Sequence, residues 1–308
     1  MLESMLIAAE QTVILFLLMA FGMLSKKTDL FDEAAIRRLT EFLMQVITPC
    51  IILTSFQGPY LPEKIVGLGW SFAAAVLVTI FGIVFSKLAI HSHDERYNRS
   101  LKWAVVFSNC GYMGIPLEQA IFGSDGIFYV TAAIATFNIF AWTYGVCLMG
   151  GKSSGGFFKA LLTSANIAIA VGIVLFFLPW RLPRVLAVPI ATIGNLNTPV
   201  AMLVMGYYLA NAKFLTALTT KSTYLMLLLR HFLLPGLLIA VLSMCPFIDR
   251  TVRLCAIIPA AAPVGALLTV FAVRYNGEAR FATAVVSVST ILSILTIPLL
   301  LGLANTVF

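Results

Sequence analysis

Charged residues fall along this chain at intervals that leave long uncharged runs between them. Lys64 and Lys87 bracket 22 residues without a charge, and no charge follows Arg280 over the last 28 residues. Comparable runs lie between Glu10 and Lys26, Glu41 and Glu63, Lys102 and Glu118, Asp125 and Lys152, Lys159 and Arg181, Arg184 and Lys213, and Arg253 and Arg274. A tenth, near 222–246, is interrupted only by Arg230 and His231. A helix that crosses a bilayer needs about 20 apolar residues. The pattern therefore predicts an all-α polytopic membrane protein of ten spans with short loops and no soluble domain. Strands of a membrane β-barrel are about half as long and alternate in hydrophobicity, so that architecture is excluded. Composition agrees, with 60% hydrophobic and 11% charged residues, where a soluble domain has ~45–50% and ~25%.

The net charge of +7 does not indicate a nucleic-acid partner. Its distribution is that of a membrane protein. Fourteen of the 20 Lys and Arg lie in or beside odd-numbered loops, including Lys26, Lys27, Arg37, Arg38, Arg96 and Arg99. Cytoplasmic loops carry the excess of basic residues, so odd loops are read as cytoplasmic and both termini as non-cytoplasmic. The first residues, MLESMLIAAE, carry acids rather than the basic region of a cleaved signal. The first apolar run is therefore read as a retained helix.

Cys50, Cys110, Cys147, Cys245 and Cys255 sit in or beside apolar runs, with no C-x-x-C and no His at zinc spacing. They read as small apolar residues. Catalytic motifs are also missing. There is no G-x-S-x-G, H-E-x-x-H, G-x-G-x-x-G or Walker A loop, so an enzyme or an ATP-driven pump is not expected and no cofactor is called for.

The chain matches itself at a shift of about 150 residues. Thr48-Pro49 recurs as Thr198-Pro199, RSLKWAVVFSNCGYMGIPL (99–117) aligns with RTVRLCAIIPAAAPVGALL (250–268), and Thr131-Ala132 aligns with Thr283-Ala284. The reading is a first five-helix repeat at 1–149, a cytoplasmic linker GGKSSGGFF at 150–158 and a second repeat at 159–308. Five spans is an odd number, so the repeats are inverted. Inverted repeats are a hallmark of secondary transporters, whose sites lie where helices of the two halves are broken at the midplane.

Breakers occur at equivalent places. Span four carries Asn109, Gly111, Tyr112, Gly114 and Pro116, and span nine carries Pro259, Pro263 and Gly265. Proline removes a backbone donor and glycine permits the turn that follows. Two unwound segments crossing near the bilayer centre are expected. Half-helix N-termini there present partial positive charge, which favours a carboxylate. Asn109 adds an amide, and Asn138 in span five is placed near the crossover. Arg230 either snorkels to the cytoplasmic interface or faces a cavity as charge partner of an anion. Glu118 reads as a carboxylate at the outer rim, with a coupling role as the alternative. Asn195 and Asn197 are read as helix–helix hydrogen-bonding residues, and His91 and His93 as solvated loop residues.

FSNCGYMGIPL (107–117), IGNLNTPVAMLVMGYYLAN (193–211) and the C-terminal run from Pro259 to Leu300 resemble motifs of the auxin efflux carrier family in its short bacterial form. The resemblance implies a fold like NhaA and the bile-acid symporters. Spans one, two, six and seven would form a scaffold that dimerises, and spans three to five and eight to ten a mobile transport domain. It implies an elevator motion carrying a small organic anion, such as malate, malonate or an auxin-like acid, across a bacterial inner membrane. Asn109, Pro116 and Pro263 carry over as functional residues. No intramembrane Asp pair is seen, so coupling to a proton or a sodium ion stays open. The rival readings are a sodium-coupled symporter of bulky amphipathic acids and a non-transporting receptor that uses the same pocket.

Overall fold

The computed structural model describes residues 2–92, 94–151, 158, 161–178, 181–210, 214–218 and 220–308. Most of the linker expected at 150–158 lies outside the described residues, as do Lys159, Lys213 and His93. Among the described residues the protein is all-helical, with no strand beyond one isolated bridge. Six helices there are long and apolar enough to cross a membrane: Ala9–Lys27, Pro62–Ala89, Cys110–Leu148, Arg184–Ala210, Lys221–Ser243 and Ala279–Val307. Ser164–Phe177 is a shorter apolar helix.

The uncharged runs do not each give one unbroken helix. Glu33–Phe42 and Thr48–Ser55 are joined by a wide turn at Leu43–Ile47. The two runs with breakers are interrupted, as Glu95–Val106 before Cys110–Gly114 and as Arg250–Ala261 before Leu267–Arg274. The long stretch Cys110–Leu148 is divided at Gly123, whose φ of 63° and ψ of −138° suit glycine alone. Beyond Gly123 the chain returns on itself. A Cβ added at Gly126 would lie 2.5 Å from the Glu118 carbonyl oxygen, whereas residues eight apart in a straight helix are separated by about 12 Å.

Three of the wide turns share a cause. The π turns Leu43–Ile47, Cys110–Gly114 and Leu229–Leu233 each end two residues before a proline, Pro49, Pro116 and Pro235. Proline lacks the N–H that would bond the carbonyl four residues earlier, and its ring pushes that carbonyl aside. Those carbonyls belong to Gln45, Tyr112 and His231, each inside the widened turn. Widening the turn keeps the helix going where an α-turn would clash.

The two interrupted segments begin alike. Asp94 caps Glu95–Val106 by accepting from the Arg96 N–H at 2.8 Å, and Asp249 caps Arg250–Ala261 by accepting from the Thr251 N–H at 2.8 Å. Both capped helices have 12 residues.

Two apolar clusters fill the interior. One gathers Phe56, Phe128, Phe176, Met113 and Cys255. The other gathers Trp103, Phe107, Val264, Phe271 and Phe281. The interrupted segments run from one cluster to the other. The first helix and Asn197–Ala210 meet backbone to backbone, since a Cβ at Gly22 would lie 2.1 Å from the Leu203 oxygen and one at Gly206 would lie 1.9 Å from the Met19 oxygen. Small residues permit such approach between membrane helices. Large apolar side chains such as Phe21, Leu295 and Val185 stay exposed on the outer faces, where lipid is their solvent.

Candidate transport site

The chain leaves helix at Phe107, with φ −107° and ψ 116°, and again beyond Ala261, where Ala262 has φ −59° and ψ 148°. The two extended pieces pair as a single antiparallel bridge between Ser108 and Val264. The Asn109 N–H donates to the Pro263 oxygen at 2.7 Å, and the Gly265 N–H donates to the Phe107 oxygen at 3.0 Å. Unwound backbone within a membrane must find partners, because the hydrocarbon offers none. Here each break satisfies the other. A Cβ at Gly265 would lie 3.1 Å from the Ser108 oxygen, so glycine lets the strands approach.

Two of the three prolines do not sit where the breaks are. Pro116 lies eight residues past the bridge, where the π turn Cys110–Gly114 absorbs its missing N–H. Pro259 lies inside Arg250–Ala261, which continues two residues beyond it. Pro263 alone is within a break, and it contributes its carbonyl.

Arg230 is 1% exposed, so it does not snorkel to an interface. Its guanidinium donates to the carbonyls of Val105 at 3.3 Å, Ala260 at 2.8 Å, Pro259 at 3.4 Å and Ala262 at 3.1–3.2 Å. Those are the C-terminal carbonyls of the two half-helices that run into the crossover. Each helix C-terminus carries roughly half a negative charge, and one guanidinium offsets both. His231 follows on the same π turn, and its Nε2 lies 2.7 Å from Ser289 Oγ, which accepts from the Val264 N–H at 2.9 Å. His231 Nδ1 lies 3.1 Å from Thr296 Oγ1. A ring protonated at Nδ1 donates to Thr296 and accepts from Ser289, which satisfies all three groups. Sequence reasoning passed over His231. The available signal was Pro235 four residues later, whose widened turn carries Arg230 and His231 into the interior together.

The half-helices that leave the crossover present their N-termini to a cavity of about 360 Å³. Met113 and Gly114 are the first residues to bond back, both to the Asn109 oxygen, and Leu268 bonds to Gly265. The N–H groups of Cys110, Gly111, Tyr112, Ala266 and Leu267 therefore fall in first turns, which supply no intrahelical acceptor. All five residues line the cavity. Asn109 lines it as well, is 4% exposed, and among the described residues has one Nδ2 partner, the Met205 sulfur at 3.6 Å. Asn138 is on the wall, with Nδ2 donating to Thr163 Oγ1 at 3.3 Å and Asn166 Oδ1 at 3.0 Å. Thr48, Gln45, Ser108, Thr163 and Ser164 add to the polar lining, and among the described residues the one carboxyl or basic side chain on it is Glu41. An apolar cavity of about 180 Å³ adjoins it and shares Met44, Tyr112, Ala266 and Leu267.

Of the residues expected at the site, Asn109, Gly111, Tyr112, Asn138 and Gly265 come together on this cavity. Gly114, Pro116 and Pro263 support it from behind, and Arg230 is held by backbone carbonyls rather than by the cavity. Glu118 is not at a rim, since it is 0% exposed. Asn197 accepts from Thr48 Oγ1 at 3.2 Å, which is a contact between helices.

A family model described as membrane transport protein matches residues 7–160 and 156–301, nearly the whole chain, in two stretches that meet at the linker. The chain belongs to this family, that of the auxin efflux carriers. It is 24% identical over 305 residues to an uncharacterized transporter of Methanothermobacter thermautotrophicus, covering 95% of this chain and 97% of that one. It is 30% identical over 122 residues to auxin efflux carrier component 8 of Arabidopsis thaliana, covering 38% of this chain and 33% of that protein. The protein is thus a multi-pass membrane transporter, and not an enzyme.

Proposed function

We propose that this family member is a secondary transporter of small organic anions that binds its substrate at the paired half-helix N-termini. One observation carries the reading: five residues in the first turns of two opposed half-helices, together with Asn109, line one cavity. Preorganised N–H groups with a helix dipole behind them favour an anion. Among the described residues no Lys or Arg lines the cavity, so a second negative charge finds no described cation. The adjoining apolar cavity suits a hydrophobic body. The substrate class this favours is a monocarboxylate with an apolar portion, in preference to malate or malonate.

The architecture in this reading is ten spans in an inverted 5+5 repeat, counting each interrupted segment as one span and the two arms around Gly123 as two. The equal capped half-helices at Asp94 and Asp249 support it. Spans one, two, six and seven form the scaffold, supported by the backbone contact between the first helix and Asn197–Ala210. Spans three to five and eight to ten form the moving body. Arg230 and His231 tie both breaks to the Lys221–Ser243 span, which supports movement of the crossover as one unit. An elevator motion of that body, a homodimer through the scaffold and both termini outside an inner membrane complete the proposal. Glu41, Trp142 and Leu162 line the cavity near loops assigned to the cytoplasm, so this conformation is inward-facing.

The test is counterflow in proteoliposomes with a panel of labelled mono- and dicarboxylates. Saturable exchange of apolar monocarboxylates, weakened in Asn109→Ala, is expected. Binding without flux for every acid would instead assign the protein as a receptor, and a strict sodium requirement would favour a sodium symporter.

A further inference from the structure

Glu118 is the one fully buried carboxyl among the described residues. Among the described residues neither of its oxygens has an N–H or O–H partner, and the donor nearest it is the weak Cys255 thiol. It lies against bare backbone, since a Cβ at Gly126 would come within 2.8 Å of Oε2. Gly126 and the turn at Gly123 therefore make the space the carboxyl occupies. The nearby cations are committed elsewhere. Lys64 pairs with Asp125 at 2.5 Å, Arg253 stacks over the Phe308 ring at 4.8 Å while its buried Nε bonds neither Glu118 oxygen, and Arg230 serves the crossover carbonyls. Native proteins seldom leave a buried polar atom orphaned, and such an atom needs an explanation.

The elements packed on this arm offer Glu118 no counter-charge. Arg250–Ala261 brings the Cys255 thiol to it. Asp125, Asp249 and Tyr129 interact with Cys255, and as acids they supply no counter-charge. Ser164–Phe177 carries no ionisable side chain, Thr48–Ser55 carries only Cys50, and Asn197–Ala210 carries Tyr207 and Tyr208. Glu10 near the start of the first helix is exposed. The charge Glu118 can bear must therefore be met by a cation that arrives from outside. No group of three His, Cys, Asp or Glu residues assembles here or elsewhere among the described residues, so a metal-ion cage is not built.

The position ties this carboxyl to the site. Glu118 stands on the half-helix whose first turn lines the cavity, about 13 Å along it from Asn109. Cys255 stands on the half-helix that enters the crossover from the other repeat. Both walls of the Glu118 pocket belong to the body that carries the crossover, so the carboxyl travels with the cavity.

We propose that Glu118 carries the proton of a proton-coupled cycle, in which one proton from water is held on its carboxylate while one monocarboxylate occupies the crossover cavity, and both are released on the opposite side. The inference rests on the transport reading above. It also answers a charge problem in that reading. A body loaded with a monoanion and no cation moves a net charge, which costs about 2.3 kcal/mol per 100 mV of opposing membrane potential. One proton carried on Glu118 with each monoanion, and released with it, makes the full cycle electroneutral.

Two measurements test this, and the first needs no transport. Infrared difference spectra of the protein in lipid, recorded across pH, should show a carboxylic-acid carbonyl band that is lost in the isosteric variant Glu118→Gln. Absence of such a band from the wild type, or its persistence in the variant, overturns the assignment. The second reads acid-driven proton movement with a pH dye sealed inside proteoliposomes. The ratio of acid uptake with and without an inward proton gradient should exceed unity in the wild type and fall to unity in Glu118→Gln. An unchanged ratio in the variant overturns the coupling even when the band is present. Wild-type protein that moves no acid in any mode refutes the transport reading and the coupling together, while the infrared result still reports on the proton.

Discussion

Replacing Arg230 tests how the crossover is held. In the structure one guanidinium serves four carbonyls, two at the very ends of opposed half-helices. A hydrogen bond to a charged group contributes about 1.5–3 kcal/mol, but bonds that share one donor group do not add. The better guide is removal of one partner from a buried charged network, which costs about 3–5 kcal/mol because the remaining groups are stranded. Arg230→Met keeps much of the volume and removes every donor, so it should lose stability of that order. Arg230→Lys keeps the charge but has three donors on a single point and no fork, so it should fall between. Unfolding in mixed micelles, followed by the buried Trp103, measures this. The same variants should bind anions more weakly once folded, because two negative helix ends beside the cavity are no longer offset. An Arg230→Met protein that unfolds at the wild-type denaturant midpoint would refute the capping role.

Other outcomes follow from single contacts. Ser289→Ala strands the buried Val264 N–H and should cost about 1–3 kcal/mol, while His231→Asn should show a smaller loss in the same unfolding experiment. Asn109→Ala gives up one weak internal contact, so it should fold normally and lose about 1 kcal/mol of anion binding, roughly fivefold in Kd; calorimetry on the detergent-solubilised protein reads it. Asp94→Ala and Asp249→Ala each remove an N-cap and should each cost about 1 kcal/mol of stability. Gly206→Leu forces a side chain into the Met19 carbonyl and should cost at least the ~1–3 kcal/mol of ordinary overpacking, seen as aggregation on size exclusion.

What could be read from the sequence depended on how local its cause was. The spacing of charges located the apolar runs, because the bilayer imposes a length on any helix that crosses it. Paired glycines and prolines located the two breaks to within about a turn. The exact departures, at Phe107 and after Ala261, were not legible, since they are set by hydrogen bonds between segments about 150 residues apart. Pro116 and Pro259 misled for the same reason: a wide turn absorbs the first, and the helix runs past the second. The role of Arg230 depends on which carbonyls surround it, and no one-dimensional pattern records that. Glu118 looked like a rim residue because it follows the span-four breakers by two residues, toward the outer side. The returning arm covers it, and only the fold shows that arm.

The central claim is that a monocarboxylate is held by the first-turn N–H groups of the two opposed half-helices. A cryo-EM map of the protein in lipid nanodiscs, saturated with an apolar monocarboxylate found in the counterflow panel, tests it most directly. The account predicts the carboxylate within hydrogen-bonding distance of the N–H groups at Gly111–Tyr112 and Ala266–Leu267 and of the Asn109 amide, with the apolar body toward Tyr112 and Met44. Density for the acid against the Arg230 guanidinium, with its backbone contacts broken, or density outside the crossover cavity, would contradict it.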